Sequence, residues 1–423
     1  VKDKLKEADV YFGMNDYQNA LKIYSDIYKQ DSSDQFVAYR EGVCMFNLKR
    51  YRKQSLPYLE KAARNGINEA NYYLAKVHHL LYHFEEALKV YDNYSHFKGQ
   101  KNFDEAEIMR CKNITITAME MVKHSLNVKI ENMGNAINSP FPDYAPLLTS
   151  DEGMVILTSR REGGTGNLLD PNGDYFEDIY VSYKKEGSWT EPADISPFIN
   201  TETHDATVAL SGNGDILYMY RTSEELTGGN IYRSDFDGTN WGVPEKMSSE
   251  INTEGGWEAS ASISLEGDAF YFSSNREGGY GGKDIYRIIR LPNGEWSKAL
   301  NLGSYINTPY DEDFPFIYLD GKTLYFSSRG HKTMGGFDIF KITVDEKGQC
   351  SDLENVGYPI NTPDEDVCFI LPGDGKRGYY SSNRKDSYGE EDIYVINMPD
   401  EKVPAPVVKG VVVANTLHNP PVP

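Results

Sequence analysis

The chain has 423 residues, with 43 Lys and Arg against 64 Asp and Glu, a formal charge of −21. That length predicts more than one core and roughly three domains, and the acidity argues against a nucleic-acid or anionic-membrane binder, which needs a concentrated basic face. No apolar run approaches the ~20 residues needed to span a bilayer. Val1 opens no recognisable signal peptide, so the expectation is a cytosolic protein or one whose targeting segment has been removed. Four Cys in a chain of this length do not make a disulfide framework.

Residues 1–124 carry few Gly and almost no strand-like alternation. Tyr17, Tyr51 and Phe84 recur at spacings of 34 and 33. Each opens a similar phrase: Tyr17 to Ala20, Leu21 and Tyr24; Tyr51 to Ser55, Leu56 and Tyr58; Phe84 to Ala87, Leu88 and Tyr91. An aromatic, a small residue, an apolar residue and a second aromatic at these offsets form one face of an α-helix. Paired helices at this period resemble tetratricopeptide repeats, in which each pair covers its apolar face by stacking on the next. Three repeats are expected, with residues 102–123 as a terminal helix whose apolar side is Phe103, Ala106, Ile108, Met109 and Met119. Such an array offers a concave surface for a protein partner, or serves as a spacer.

From residue 125 to 400 a second repeat appears. Ile-Asn recurs at Ile137, Ile199, Ile251, Ile306 and Ile360. An acid follows six or seven places later at Asp143, Asp205, Glu258, Asp313 and Asp366. A strand then ends in Arg160, Arg221, Arg276, Arg329 or Arg384, and a Gly-rich loop leads to a third strand. Those third strands open at Asp178, Asn230, Asp284, Asp338 and Asp392, spaced by 52, 54, 54 and 54 residues. Several strands per unit at this period predict propeller blades. Four units continue into a fourth, outer strand, whereas the fifth runs from Val395 into a Pro-spaced linker. The spare strand at 127–134 resembles the outer strand that ends at Gly303, and is expected to complete the fifth blade. Closure of that kind removes open sheet edges. The fold class is therefore an α-solenoid followed by a five-bladed β-propeller. Residues 401–423 read as a linker and the first strand of a further domain, running through 407–413.

The five acids and five arginines are the candidate binding ring at the channel mouth. Either they hold a cation or polar ligand there, or each acid pairs with an Arg and backbone N–H groups to pin a blade turn. A glycosidase would need two carboxyls placed unequally in a cleft. No Gly-x-Ser-x-Gly elbow and no Walker-type motif occurs, and the chain is expected to be no enzyme and to need no cofactor. Asp170, Asn172, Asp174 and Glu177 alternate in the manner of calcium ligands but lack the remaining loop spacing, leaving a weak metal candidate beside a solvated acidic loop. His79 and His83 share an i, i+4 face, with His78 adjacent, but have no third ligand and read as packing or surface residues. Cys350 on an outer strand and Cys368 on an inner one lie too far apart for a bridge. Free thiols are expected, with Cys44 and Cys111 in the helix core. Tyr280, Phe337 and Tyr388 in Gly-rich loops are candidate partner contacts.

The blade phrase Leu324-Tyr-Phe-Ser-Ser-Arg329, followed by Gly335-Gly-Phe-Asp338-Ile-Phe340, resembles propeller repeats of Bacteroidetes envelope proteins. The tail from Val408 to Thr416 resembles the first strand of a carboxypeptidase-regulatory-like β-sandwich. The whole order resembles the PorE-like periplasmic lipoproteins of the type IX secretion system, where an OmpA-like domain follows. That resemblance implies a periplasmic, outer-membrane-associated adaptor that holds protein subunits of a secretion or gliding machine. It implies peptidoglycan contact only through the OmpA-like domain and membrane contact only through an N-terminal lipid. The alternative is a general envelope-integrity lipoprotein of the same build.

Overall fold

The structure is a computed structural model that describes residues 2–96, 103–170, 173–226, 228–373 and 375–398. The linker and tail strand expected at 401–423 lie outside the described residues, as does Asn172. Seven α-helices come first: α1 (Lys2–Gly13), α2 (Tyr17–Gln30), α3 (Gln35–Asn47), α4 (Leu56–Arg64), α5 (Ala70–Leu80), α6 (Phe84–His96) and α7 (Glu105–Lys123). Three of their starts are set by acids that accept the free first-turn N–H groups. Asp16 caps α2 through Asn19, Asp34 caps α3 through Phe36 and Val37, and Asp104 caps α7 through Ala106.

The repeated phrases point inward. Ala20, Tyr24, Ala87 and Tyr91 are buried, as is Leu59 from the middle unit. Gly42 lets α3 approach α4, since a Cβ there would stand 2.9 Å from the Leu59 side chain. The middle unit departs from its sisters. Where Tyr17 and Phe84 begin α-helices, Tyr51 lies in a 3₁₀ turn, Lys49–Ser55, and the α-helix starts only at Leu56 with Pro57 in its first turn. Proline lacks the N–H a helix interior needs but fits a first turn, so it fixes where this helix begins.

Five antiparallel sheets follow, four of four strands and one of five. In the first, Asp143–Leu148, Met154–Ser159 and Asp178–Lys185 run from the channel outward, with Ser188–Trp189 and Ala193–Asp194 at the rim. The second, third and fourth repeat this scheme, beginning with the inner strands Asp205–Leu210, Ala261–Ile263 and Glu312–Ile317. The fifth combines Asp366–Ile370, Arg377–Ser382 and Asp392–Asn397 with Lys129–Asn132, the segment that precedes the first blade. Its register sets Ile130 opposite Ile396 and Asn132 opposite Tyr394, so the expected closure is present.

Each Ile-Asn pair works as a clamp. The Asn361 amide accepts from Ile339 N–H at 2.8 Å and donates to its carbonyl at 2.9 Å. Asn200, Asn252 and Asn307 treat Ile179, Ile231 and Ile285 alike. Asn138 does the same to Ile393, fastening the first blade to the last. Apolar side chains fill the space between blades, for example Tyr218, Phe270, Phe272 and Ile288.

Candidate functional site

The acid at the head of each inner strand is fully buried. Asp143 accepts from Arg161 at 2.7 Å, Asp205 from Arg221 at 2.6 Å, and Glu258 from Ser274 at 2.6 Å with Arg276 at 3.5 Å. Asp366 accepts from the Thr362 N–H and hydroxyl at 2.6 and 2.8 Å and from Ser382 at 2.6 Å. Arg384, which faces it, donates to the Ile360 carbonyl at 3.0 Å. In the fourth blade the acid in this role is Glu312, held by Thr308 and Ser328 at 2.7 Å, rather than the expected Asp313. His331 replaces the arginine there and contacts the Ile306 carbonyl at 2.8 Å. In the first blade the pinning cation is Arg161 rather than the expected Arg160. These groups fasten turns within their own blades. Burial pushes the Asp205 and Asp366 carboxyls up, the latter to about 6, against the pull of Arg221 and Arg384.

Three of the expected ring residues leave this pattern and converge on one end of the channel. Asp313 accepts from Ser273 at 2.5 Å and from Lys283 at 2.7 Å, and Lys283 lies 4.2 Å over the Trp257 ring. Burial opposes its charge, but Lys283 and the serine hydroxyls hold its carboxyl below the usual range. Arg160 donates to Asp170 at 3.0 Å and to Glu177, which also accepts from the Tyr144 hydroxyl at 2.8 Å. His204 meets the other Glu177 oxygen, and burial followed by the Arg160 charge pushes its imidazole down to about 4. Arg329 donates to Glu365 at 3.0 Å and lies 4.4 Å over Phe337.

The helices sit on this same end. Lys49 pairs with Glu391; Arg50 pairs with Glu390 at 3.1 Å and with Asp174; Arg52 pairs with Asp364 at 3.0 Å. Farther along, Arg110 donates to the Arg329 carbonyl at 2.8 Å and covers Tyr310, while His79 bonds the Met334 carbonyl at 2.9 Å. Phe84 and Ala118 enclose Met334 in a shared apolar contact. Between cover and ring lies a chamber of about 430 Å³, walled by Lys49, Arg50, Arg160, Arg329 and the acids that pair with them, and floored by Tyr144, Phe314 and Cys368. Burial pushes the Glu390 carboxyl up, with the Asp174 charge adding to it, whereas Lys49 overrides burial and holds Glu391 down. The opposite mouth is apolar, lined by Leu148, Leu210, Leu265, Leu319 and Leu371 around about 110 Å³. Phe314 and Cys368 belong to both cavities and sit on inner-strand bulges at positive φ, 51° and 57°. A bulge of this kind re-aims the side chain, here into the waist of the channel.

Of the remaining sequence candidates, Phe337, Asp170, Asp174 and Cys368 line the chamber, and the other described ones lie outside it. Tyr280 and Tyr388 are half-exposed on loops whose N–H groups donate to Asp284 and Asp392 at 2.7 Å. Phe337 is not exposed but lies in the chamber wall against Phe314. Asp170, Asp174 and Glu177 face Arg160 and Arg50, and among the described residues no group of three His, Cys, Asp or Glu is arranged to hold a metal. His79 contacts Thr115 at 3.1 Å and is buried, while His78 and His83 lie at the surface. All four cysteines are free thiols. The basic turn that meets the mouth is absent from the sequence-derived candidates, although four cations in five residues, 49–53, stand out in so acidic a chain. Among the described residues no helix is long and apolar enough to cross a membrane.

No family model and no curated protein sequence matches the chain. Among solved structures, TolB from Acinetobacter baumannii is similar over 70% of this chain and 71% of its own, at 13% identity and a TM-score of 0.36. A putative TolB from Agrobacterium tumefaciens covers 64% of this chain and 98% of its own, at 17% identity and a TM-score of 0.33. A glycosyl hydrolase from Bacteroides ovatus covers 62% and 91%, at 8% identity and a TM-score of 0.39. Likeness at this level assigns no activity to the chain.

Proposed function

We propose that the chain is a non-catalytic scaffold of the PorE-like kind, working in the periplasm at the outer membrane. Its tetratricopeptide-like helices and its ring would hold subunits of a type IX secretion or gliding machine, with peptidoglycan and lipid attachment left to other parts of a longer protein. The observation that carries this reading is the covered mouth: every carboxylate lining the chamber is ion-paired, to Lys49, Arg50, Arg160 or Arg329. A carboxylate held by a cation is poorly placed to serve as general acid or base, which favours a scaffold over a five-bladed glycosidase. A closed ring joined to a helical block offers rigid surfaces without sheet edges, a build suited to organising partners.

The test is affinity purification of the native full-length protein from its own cells. Secretion-machine subunits should co-purify. Recovery of peptidoglycan alone would move the assignment to a general envelope-integrity lipoprotein. For catalysis, Asp143→Asn, Asp205→Asn and Glu258→Gln combined should lower stability and change no glycan-cleaving activity. Any activity of the wild type that this variant loses while still folded would overturn the non-catalytic reading.

A further inference from the structure

We propose that the acidic mouth of the ring is a socket for a basic, arginine-bearing segment of a partner protein, and that the chain's own 3₁₀ turn fills it when the partner is away. The socket is Asp174, Asp364, Glu365, Glu390 and Glu391, contributed by loops of the first, fourth and fifth blades. The turn carries Lys49, Arg50, Arg52 and Lys53. Three of these four cations meet socket acids directly, so the complementarity is of charge rather than of apolar shape.

Two further features separate this contact from ordinary domain packing. The turn is where the middle helical unit abandons the α-helix that its sister phrases form at Tyr17 and Phe84. Two of its cations stay wetter than those that pin the blades: the Lys49 and Arg50 side chains remain 45% and 36% exposed, against 15% for Arg161 and 18% for Arg221, while Arg52 is held at 18%. Wet ion pairs are weak and salt-screened. The helices keep a separate hold on the ring through Met334, Phe84 and Ala118, and through the Leu126 N–H bonded to the Tyr358 carbonyl at 2.8 Å. The turn can therefore leave the socket while the helices stay attached. An incoming segment with the same charges would replace it and reach Arg329, Phe337 and the chamber floor.

This deepens the scaffold reading by naming the chemistry of what the ring holds, and its test needs no secretion machine. A labelled synthetic peptide of residues 47–55 is titrated into the wild-type chain and into a Lys49→Gln, Arg50→Gln, Arg52→Gln variant. If the turn occupies the socket nine-tenths of the time, emptying it raises the apparent affinity about tenfold. Adding Glu390→Gln and Glu391→Gln should then abolish binding, and a peptide with Gln at its four cations should not bind. Equal affinity for wild type and variant, or binding that survives loss of Glu390 and Glu391, overturns the proposal. Should the triple variant melt well below wild type, Arg50→Gln alone carries the comparison, with a gain of about threefold expected. A failed affinity purification would leave this titration standing, and a failed titration would leave the scaffold without its socket.

Discussion

Glu312 is the pinning acid without an arginine. In the arginine's place stands His331, whose charged form burial disfavours, and Asp284 adds a like charge to Glu312. Burial raises the Glu312 carboxyl from 4.5 to about 7, against the hydrogen bonds from Thr308 and Ser328. An acid raised in the fold binds its proton more tightly there than in the unfolded chain. Its contribution is whole below about pH 4.5 and is lost as pH rises through about 7. Between about pH 5 and pH 8 the loss comes to about 2–3 kcal/mol. His79 and His204 act in the opposite sense: both are pushed down to about 4, so their share is lost as pH falls from 6.5 toward 4. The wild-type profile mixes these effects, so the informative quantity is the stability difference between wild type and Glu312→Gln at each pH. Urea unfolding at about pH 5 and pH 8 should show the variant gaining about 2 kcal/mol on wild type at the higher pH. An offset that is the same at both would refute the argument that Glu312 is held protonated.

Asn361→Ala strips a buried clamp and leaves the N–H of Ile339 unpaired, while its C=O keeps the Val356 N–H at 3.1 Å, so urea denaturation should show a loss of about 1–3 kcal/mol. Gly42→Ala forces a Cβ against Leu59 and should cost about 1–3 kcal/mol by overpacking, read as a lower melting temperature with unchanged helix content. Deleting residues 125–132 removes the outer strand of the fifth blade and bares the Asp392–Asn397 edge; size-exclusion chromatography should show aggregates in place of the wild-type elution profile.

Blade count and closure were legible because both rest on period: the Ile-Asn spacing fixes where each blade begins, and a missing fourth strand demands a donor. Most of the polar residues were legible to within one position, the exception being His331, which takes the arginine's role two places beyond Arg329. Glu312 and Asp313 are adjacent acids, Arg160 and Arg161 adjacent arginines, and in a strand a shift of one residue sends a side chain to the opposite face. Spacing alone could not decide which of each pair pins the turn and which points into the mouth. Tyr51 failed to open a helix because Pro57, in the first turn, set the start five residues later at Leu56. The seating of the helices on the ring left no periodic trace, since it depends on Lys49, Arg50 and Arg52 meeting acids more than 120 residues away.

The closing strand also imposes an order of assembly. Lys129–Asn132 is among the earliest parts of the ring to be synthesised, yet its partner, Asp392–Asn397, is the last. A nascent chain can complete the helical block and then four blades in turn, while the first-made strand waits without a neighbour. Pairing across so long a loop is slow, and it comes after most of the local structure. Until the final strand emerges the disc is an open arc, vulnerable to chaperone capture and proteolysis, and it becomes one cooperative body in a single late step.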